Sequence, residues 1–468
     1  MPNPDIDALD TQSLQRDSLA AAGRPTQPSQ PAPQARVAGA APSLHLILPA
    51  RPTTVEETGL DLEAIEELAL KAVVAAGSLD GGELATRLRL PLAGVVEEAV
   101  TALRRDGLLD NAGVNQAMLG AAGMKLRPTE RGHQIERRIR ERDGYVGPAP
   151  VSRSAFKRML RQQAMAGRTV KRADVWRHLA HLLLPDATID RIGAGIEAGG
   201  PILLHGPSGN GKTSVALALA RMFSAGVLVP YAVEMDGHVV RVFDPGLHRP
   251  LPPDALPPDA LPPGLRLDDR WVYCQTPCVR LGPDLQPAEL DLTLNEQHRY
   301  YETPLQLKAA GGVLLVDDLD PRSPAAEALV NRILEPLATG VDYLSTVTGR
   351  RIVIPFTPFV VFATAADPSQ LFGEPTLRRL PCKIRLDDPT DEQFSELLRR
   401  ACAQAGVALT PSGQQYLVER CYAGGGRARR ACHPAELARL IAAAARYLGV
   451  PPALTPQLVD IAADQYFG

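Results

Sequence analysis

Charge of one sign is missing from this sequence: 50 basic residues face 53 acidic ones, for a formal net charge of −3. The chain as a whole therefore carries no field that would draw it to nucleic acid or to a membrane, and any such role must rest on a local cluster. No stretch approaches about eighteen uninterrupted apolar residues, and the N-terminus has no basic segment leading into an apolar one. Membrane insertion is therefore not expected, and the expected location is the cytoplasm. Six cysteines (Cys274, Cys278, Cys382, Cys402, Cys421 and Cys432) are widely spread without CxxC spacing, and Cys274 and Cys278 lack a second pair nearby. That excludes a paired-cysteine zinc site and leaves reduced, structural thiols. Aromatic residues make up only 4% whereas proline occurs 43 times, so proline here marks turns and linkers more than packing. Hydrophobic residues at 45% of 468 give room for two or three domains with substantial cores.

The most informative stretch is Gly206-Pro207-Ser208-Gly209-Asn210-Gly211-Lys212-Thr213. It follows the apolar run Pro201-Ile202-Leu203-Leu204 and leads into Ser214-Val215-Ala216-Leu217-Ala218-Leu219-Ala220, reading as strand, glycine turn and helix. This is a P-loop in its proper context. Its glycines let backbone N–H groups turn inward around a phosphate chain, and the helix N-terminus, whose first turn includes Ser214, adds the positive end of its dipole. Lys212 is placed for the β and γ oxygens and Thr213 for magnesium, so ATP and Mg2+ are the expected ligands.

Before the P-loop, residues 1–52 are rich in Pro, Ala, Gln and Ser and read as a disordered tail, although Leu44-His45-Leu46-Ile47-Leu48 suits either a strand or a docking peptide. Residues 60–143 change character. Leu62, Ile65, Leu68, Ala69, Ala72 and Val73 recur at helical spacing, a short segment spans Glu83 to Leu88, and Pro91 begins a helix with apolar Val95, Val96, Ala99, Val100 and Leu103. Leu108-Leu109 and Met124 to Thr129 suit two strands of a wing, so the region resembles a winged helix in pattern. Its third helix carries Glu97 and Glu98, with Arg104 and Arg105 only at the far end, which favours a protein-facing or packing role at least as much as base reading. From Lys125 to Arg172, fourteen basic residues face four acidic ones. This excess suits either binding to nucleic-acid phosphates or an acidic surface, or solvated helices split by Gly144-Tyr145-Val146-Gly147-Pro148-Ala149-Pro150. Residues 144–174 are expected to be a basic linker and Trp176 to Ile196 a helix.

After the P-loop helix, Val227 to Val233 and Val239 to Phe243 read as a hairpin turning at Asp236-Gly237. The repeated Leu-Pro-Pro-Asp-Ala motif near residues 248–265 reads as an exposed, extended insertion. Gly312-Val313-Leu314-Leu315-Val316-Asp317-Asp318 is an apolar strand ending in two acids, as expected of a buried central strand whose C-terminal edge faces the ligand. It looks like a Walker B segment, with Asp317 on the magnesium and Asp318 where the water-polarising acid belongs.

With these motifs in place, Phe359 to Ala365 resembles the sensor 1 strand of AAA+ ATPases, Leu377-Arg378-Arg379-Leu380 their arginine-finger region, and Asp391 to Gly468 their helical lid. The hairpin after the P-loop, Asp269-Arg270-Trp271, and Val341 to Leu344 before Thr348-Gly349 look like a bacterial subgroup of this family with a poorly defined cellular role. The resemblance implies an α/β P-loop core, a parallel sheet flanked by helices, over residues 175–388, and a helical lid over 389–468. It further implies a homo-oligomeric ring, six subunits being one form, in which Arg378 or Arg379 reaches the neighbouring subunit's ATP. Three positions depart from the pattern. Ala365 stands where a polar sensor 1 residue is usual, with Thr364 as a substitute, and Asp318 is one methylene shorter than the usual Glu. In His433-Pro434-Ala435-Glu436-Leu437 an alanine replaces the sensor 2 arginine, leaving Arg429 or Arg430 as displaced candidates. Three readings follow: an ATP hydrolase that remodels or moves a macromolecular partner, an ATP-dependent switch or scaffold with weak hydrolysis, and a DNA-associated regulator acting through the winged-helix-like region.

Overall fold

The computed structural model describes residues 48–115, 120–164, 169–223, 226–256, 264–282, 285, 287–320, 324–423 and 426–468. Residues 1–47 of the expected tail and 257–263 of the Leu-Pro-Pro-Asp-Ala repeat lie outside the described residues. The end of the expected tail is not loose. Leu48 is buried in a core cluster, and Ala50 bridges Leu267 with Arg51 N–H donating to the Arg266 carbonyl, because one large apolar side chain and two backbone bonds suffice to anchor it.

The N-terminal module begins with α1 (Leu62–Ala76), whose Ile65, Leu68, Ala69, Ala72 and Val73 are buried at the helical spacing the sequence shows. A short strand β1 (Leu79–Asp80) leads into α2 (Gly81–Leu88), which starts in a reciprocal cap between Asp80 and Glu83. The helix expected from Pro91 begins later, as α3 (Glu97–Arg105). Ala93 is extended and Gly94 left-handed at φ 76°, and the Thr53 carbonyl lies 2.3 Å from where a Cβ on Gly94 would be. Strands β2 (Leu109–Val114) and β3 (Met124–Pro128) pair antiparallel and β1 joins β3, giving the order β1-β3-β2. Helix α4 (Glu130–Arg142) follows, with Arg131, Arg137 and Arg138 exposed.

Part of the expected linker is structured. Strand β4 (Val151–Ser152) joins a mixed sheet and α5 (Arg153–Gln162) buries Phe156, Met159 and Leu160 beneath its basic outer face. The single helix read from Trp176 to Ile196 is two, α6 (Arg172–Leu179) and α7 (Asp186–Glu197), separated where Leu183 turns left-handed ahead of Pro185.

The P-loop strand β5 (Ile202–His205) and helix α8 (Lys212–Met222) come next. Val227 to Val233 is broken at Tyr231: β6 (Val227–Pro230) pairs with β9 (Trp271–Cys274), whereas β7 (Ala232–Met235) pairs with β8 (His238–Arg241). The β7–β8 turn takes Asp236 and Gly237 at positive φ, as a two-residue hairpin requires. Further along come β10 (Cys278–Leu281), β11 (Thr293–Asn295), β12 (Tyr300–Glu302) and β13 (Val313–Val316). These are followed by α9 (Pro324–Thr339), the hairpin β14 (Val341–Ser345) and β15 (Arg351–Pro355), β16 (Phe359–Thr364), α10 (Glu374–Arg378) and β17 (Cys382–Arg385).

Strands β10-β13-β16-β5-β17 form a wholly parallel sheet in that order. Side chains alternate between its faces. Ile202, Leu204, Leu315 and Val361 pack with α6, α7 and α8, whereas Leu203, Leu314, Val316 and Phe362 pack with α9. Burial on both faces explains why these strands read as continuous apolar runs. A second sheet, β11-β12-β8-β7-β4, lies outside this core. The chain ends in α11 (Asp391–Ala405), α12 (Pro411–Tyr422), α13 (His433–Leu448) and α14 (Pro456–Phe467), which share a core including Phe394, Leu398, Leu417 and Ile441. Among the described residues no helix is long and apolar enough to cross a membrane.

Candidate nucleotide site

Parallel strands end together at one edge of a sheet, and this edge collects the chemistry. From β5 the chain passes through Gly206-Pro207-Ser208-Gly209-Asn210-Gly211 into α8, which Lys212 opens with Thr213 and the exposed Ser214 in its first turn. Gly206 has φ 117° and a Cβ there would lie 2.6 Å from the Leu386 carbonyl, so both the turn and the packing demand glycine. Lys212 is buried, and its Nζ donates to the Gly206 carbonyl at 2.9 Å and the Pro207 carbonyl at 3.0 Å. Burial holds its pKa below the usual lysine value, against the opposing pull of Asp317 and Asp318.

Strand β13 delivers the two acids to the same edge, one strand removed from β5 because β16 lies between them. Asp317 is buried, and its Oδ2 accepts from Thr213 Oγ1 at 2.7 Å. Asp318 is left-handed at φ 56° and its side chain is 59% exposed, so it stands in solvent beside the buried Asp317. Thr364, at the end of β16, is fully buried and its hydroxyl donates to the Leu319 carbonyl at 2.7 Å while accepting from the Ala366 N–H. That hydroxyl braces the segment after the acids, so it does not stand free to replace the polar group missing at Ala365.

Arg280, on β10, was not singled out from sequence. Its Nε lies 2.9 Å from Asp317 Oδ2 and its Nη2 2.9 Å from Asp318 Oδ2, a fork across both acids. The available signal was a charge inside the apolar run Cys278-Val279-Arg280-Leu281.

The C-terminal helices close on the P-loop. Asn210, buried in the loop, donates from Nδ2 to Asp388 Oδ1 at 2.7 Å and accepts the Ala431 N–H at 3.1 Å, and the Cys432 N–H donates to the Gly209 carbonyl at 3.0 Å. Arg430 ion-pairs with Asp388, and Arg429 with Asp391 while lying 5.8 Å from the ring centroids of Phe394 and Tyr422. Gln393 Nε2 donates to the Leu183 carbonyl at 2.9 Å, tying α11 to the turn between α6 and α7. Arg378 and Arg379 lie elsewhere: both are exposed, Arg378 as the last residue of α10 and Arg379 as its C-cap, with Arg378 paired to Glu374 at 2.6 Å. Among the described residues, neither hydrogen-bonds to the loop or to the two acids.

Thr213 Oγ1 and Asp317 are hard oxygen donors already in contact, the donor type and spacing that magnesium takes. A magnesium ion there would share Asp317 with Arg280.

A family model described as a domain of unknown function (DUF8689) matches residues 390–465, which span α11 to α14. No curated protein matches the chain. Solved structures with some similarity include Brucella abortus NtrX in complex with ADP, at 16% identity and a TM-score of 0.37, covering 62% of this chain and 57% of that one. Another is the Thermotoga maritima RuvB Holliday junction branch migration motor, at 13% identity and a TM-score of 0.33, covering 63% of this chain and 70% of that one. The chain thus aligns with a little over half the length of NtrX.

Proposed function

We propose that this protein is an AAA+ ATPase that binds ATP with magnesium and hydrolyses it to ADP and phosphate to remodel or move a protein partner. The observation that carries the reading is the Thr213–Asp317 contact, which joins the P-loop to the acid at the end of β13 across the strand order β10-β13-β16-β5-β17. The amides from Gly206 to Thr213 and the Lys212 ammonium hold the phosphates, with the N-terminus of α8, at Ser214, adding its dipole. Thr213 and Asp317 would hold magnesium, whose positive charge would offset that of the phosphates. Asp318, open to solvent, orients the attacking water. Helices α11 to α14 form a lid that brings Arg430 to the loop. Arg378 and Arg379, exposed at the C-terminal end of α10, serve a neighbouring copy in a ring, where a guanidinium stabilises charge developing on the transferred phosphoryl group.

The N-terminal module, with a winged-helix-like arrangement of α1 to α3 and β1 to β3, selects the partner. A groove of about 250 Å³ between α3 and β3 is lined by Leu92, Glu97, Val100, Thr101, Arg104 and Met124. Its apolar floor and the acids Glu97 and Glu98 on α3 suit a protein segment better than DNA phosphates. A second reading, an ATP-dependent switch with little turnover, is favoured by Thr364, whose hydroxyl is committed to Leu319.

Magnesium-dependent ATPase rate, measured against protein concentration, tests both. A rate that rises with concentration and is lost in Arg378→Ala/Arg379→Ala supports the ring enzyme, and tight ATP binding with background turnover supports the switch. Normal turnover by Lys212→Ala would defeat the site itself.

A further inference from the structure

The contacts between the P-loop and the C-terminal helices have an unusual centre. One carboxylate oxygen, Asp388 Oδ1, accepts both from Asn210 of the loop and from Arg430 of the segment ahead of α13. Asp388 itself lies in neither element. It sits between β17 and α11, where the chain leaves the sheet for the helical unit. Asn210 is 4% exposed and uses both ends of its amide, Nδ2 on Asp388 and Oδ1 on the Ala431 N–H, so it is held in one orientation by one partner in the connection and one in the helical unit. The neighbouring Cys432 N–H donates to Gly209, and Cys432 Sγ fills the space a Cβ on Gly209 would need. The charge on Arg430 also adds to the burial that lowers the Lys212 pKa, which places this guanidinium within electrostatic reach of the phosphate lysine.

We infer that Asp388 is a positioning residue of the nucleotide site: by gripping Asn210 and Arg430 together it clasps the helical unit onto the P-loop and sets where Arg430 stands relative to a bound phosphate chain. The inference rests on the nucleotide reading above for its consequence, but the clasp is a property of the chain alone. Opening it moves Arg430 and frees the tip of the loop together. The position of the helical unit is thereby transmitted to the phosphate-binding amides through two hydrogen-bonded side chains.

Hydrogen exchange of the full-length protein without nucleotide reads the clasp directly, because the amides of Ala431 and Cys432 are two of its donors. In Asn210→Ala and in Asp388→Ala, exchange in a peptide covering residues 427–435 is expected to rise by about tenfold. Exchange in β16 should stay unchanged, which separates clasp opening from loss of fold. Asp388→Asn retains an acceptor for Asn210 and is expected to stay within about twofold of wild type. A hinge that was merely damaged would not be rescued this way. Unchanged exchange in both alanine variants, or equal acceleration in Asp388→Asn, overturns the proposal. The nucleotide reading is scored separately by titrating ATP into the wild type: failure to bind defeats that reading and leaves the exchange result standing. Where the wild type binds, Asp388→Ala is expected to weaken affinity by about tenfold, and unaltered affinity would refute the positioning role.

Discussion

Arg270 offers the sharpest energetic test of how the N-terminal module is fixed to the rest of the chain. Its side chain is 4% exposed and its Nε and Nη2 grip both oxygens of Asp268, itself 3% exposed, at 2.8 to 3.1 Å. Its Nη1 donates to the carbonyls of Thr58, in the segment that leads into the N-terminal module, at 2.8 Å and Pro150, in the connection that follows it, at 3.1 Å. Arg270→Met preserves most of the volume but strands a buried carboxylate, a loss of about 3–5 kcal/mol. Adding Asp268→Leu removes the stranded charge and should recover that part. What then remains is the cost of two carbonyls without their donor, about 1–3 kcal/mol each if water does not reach them. Urea unfolding, followed by the fluorescence of buried Trp271 in a Trp176→Phe background, reads both variants. With a denaturant slope of about 2 kcal/mol/M, Arg270→Met should lower the first midpoint by about 2 M. A shift below about 0.5 M, or a double variant no more stable than the single, would refute the claim that this ion pair is a buried tie between the two modules.

Three further outcomes are expected. Asp318→Asn should retain ATP affinity while turnover falls at least about a hundredfold, seen as ATP that stays bound and uncleaved; full activity would remove Asp318 from the water-orienting role. Arg280→Gln withdraws a cation from Asp317 and should strengthen the apparent magnesium affinity several-fold in ATP-binding titrations, an unmoved midpoint showing that the fork does not compete with the metal. The third concerns pH. His433 is buried, and its Nδ1 accepts from the Tyr422 hydroxyl at 2.9 Å and from the Arg430 N–H at 3.3 Å, so burial holds its pKa below the usual histidine value. As pH falls below about 6.5 the unfolded chain takes up this proton before the folded one does, so the contribution is complete above that pH and declines below it towards the folded pKa. Urea midpoints followed by circular dichroism at pH 7.5 and 5.5 should therefore differ less in His433→Gln than in wild type.

The sequence made the parallel sheet legible because Ile202 to Leu204, Val313 to Val316 and Phe359 to Ala363 are buried on both faces, and such strands must be apolar throughout. The P-loop was legible because Gly206 and Gly209 meet a conformational demand no other residue type meets easily. Legibility failed where tertiary pairing decides. Val227 to Val233 reads as one strand, yet its halves pair with different strands, β9 and β8; Pro230 punctuates the run just ahead of the break at Tyr231, but it does not say which strand each half pairs with. Helix α3 starts later than Pro91 suggested because Gly94 packs against the Thr53 carbonyl, a contact across 41 residues that local periodicity does not encode. Arg280 and Asp388 were passed over for the same reason: the first acquires meaning only when β10 lies beside β13, and the second only when the loop comes within 2.7 Å across 178 residues of chain.

The same geometry gives the P-loop glycines a second cause. A Cβ on Gly206 would meet the Leu386 carbonyl, which belongs to the segment leaving the sheet, and a Cβ on Gly209 would meet Cys432 Sγ at 2.6 Å. The phosphate-facing side of the loop needs bare backbone so that N–H groups can approach an anion, and the opposite side needs it so that the helical unit can approach the loop. Two independent demands thus fall on the same positions. On the nucleotide reading proposed above, displacement of the helical unit alters the backbone that would form the anion cradle, and a ligand filling that cradle would in turn bear on the contacts made by Asn210 and Asp388. Coupling between nucleotide and helical unit therefore requires no long chain of intermediates: the phosphate loop is itself the contact surface.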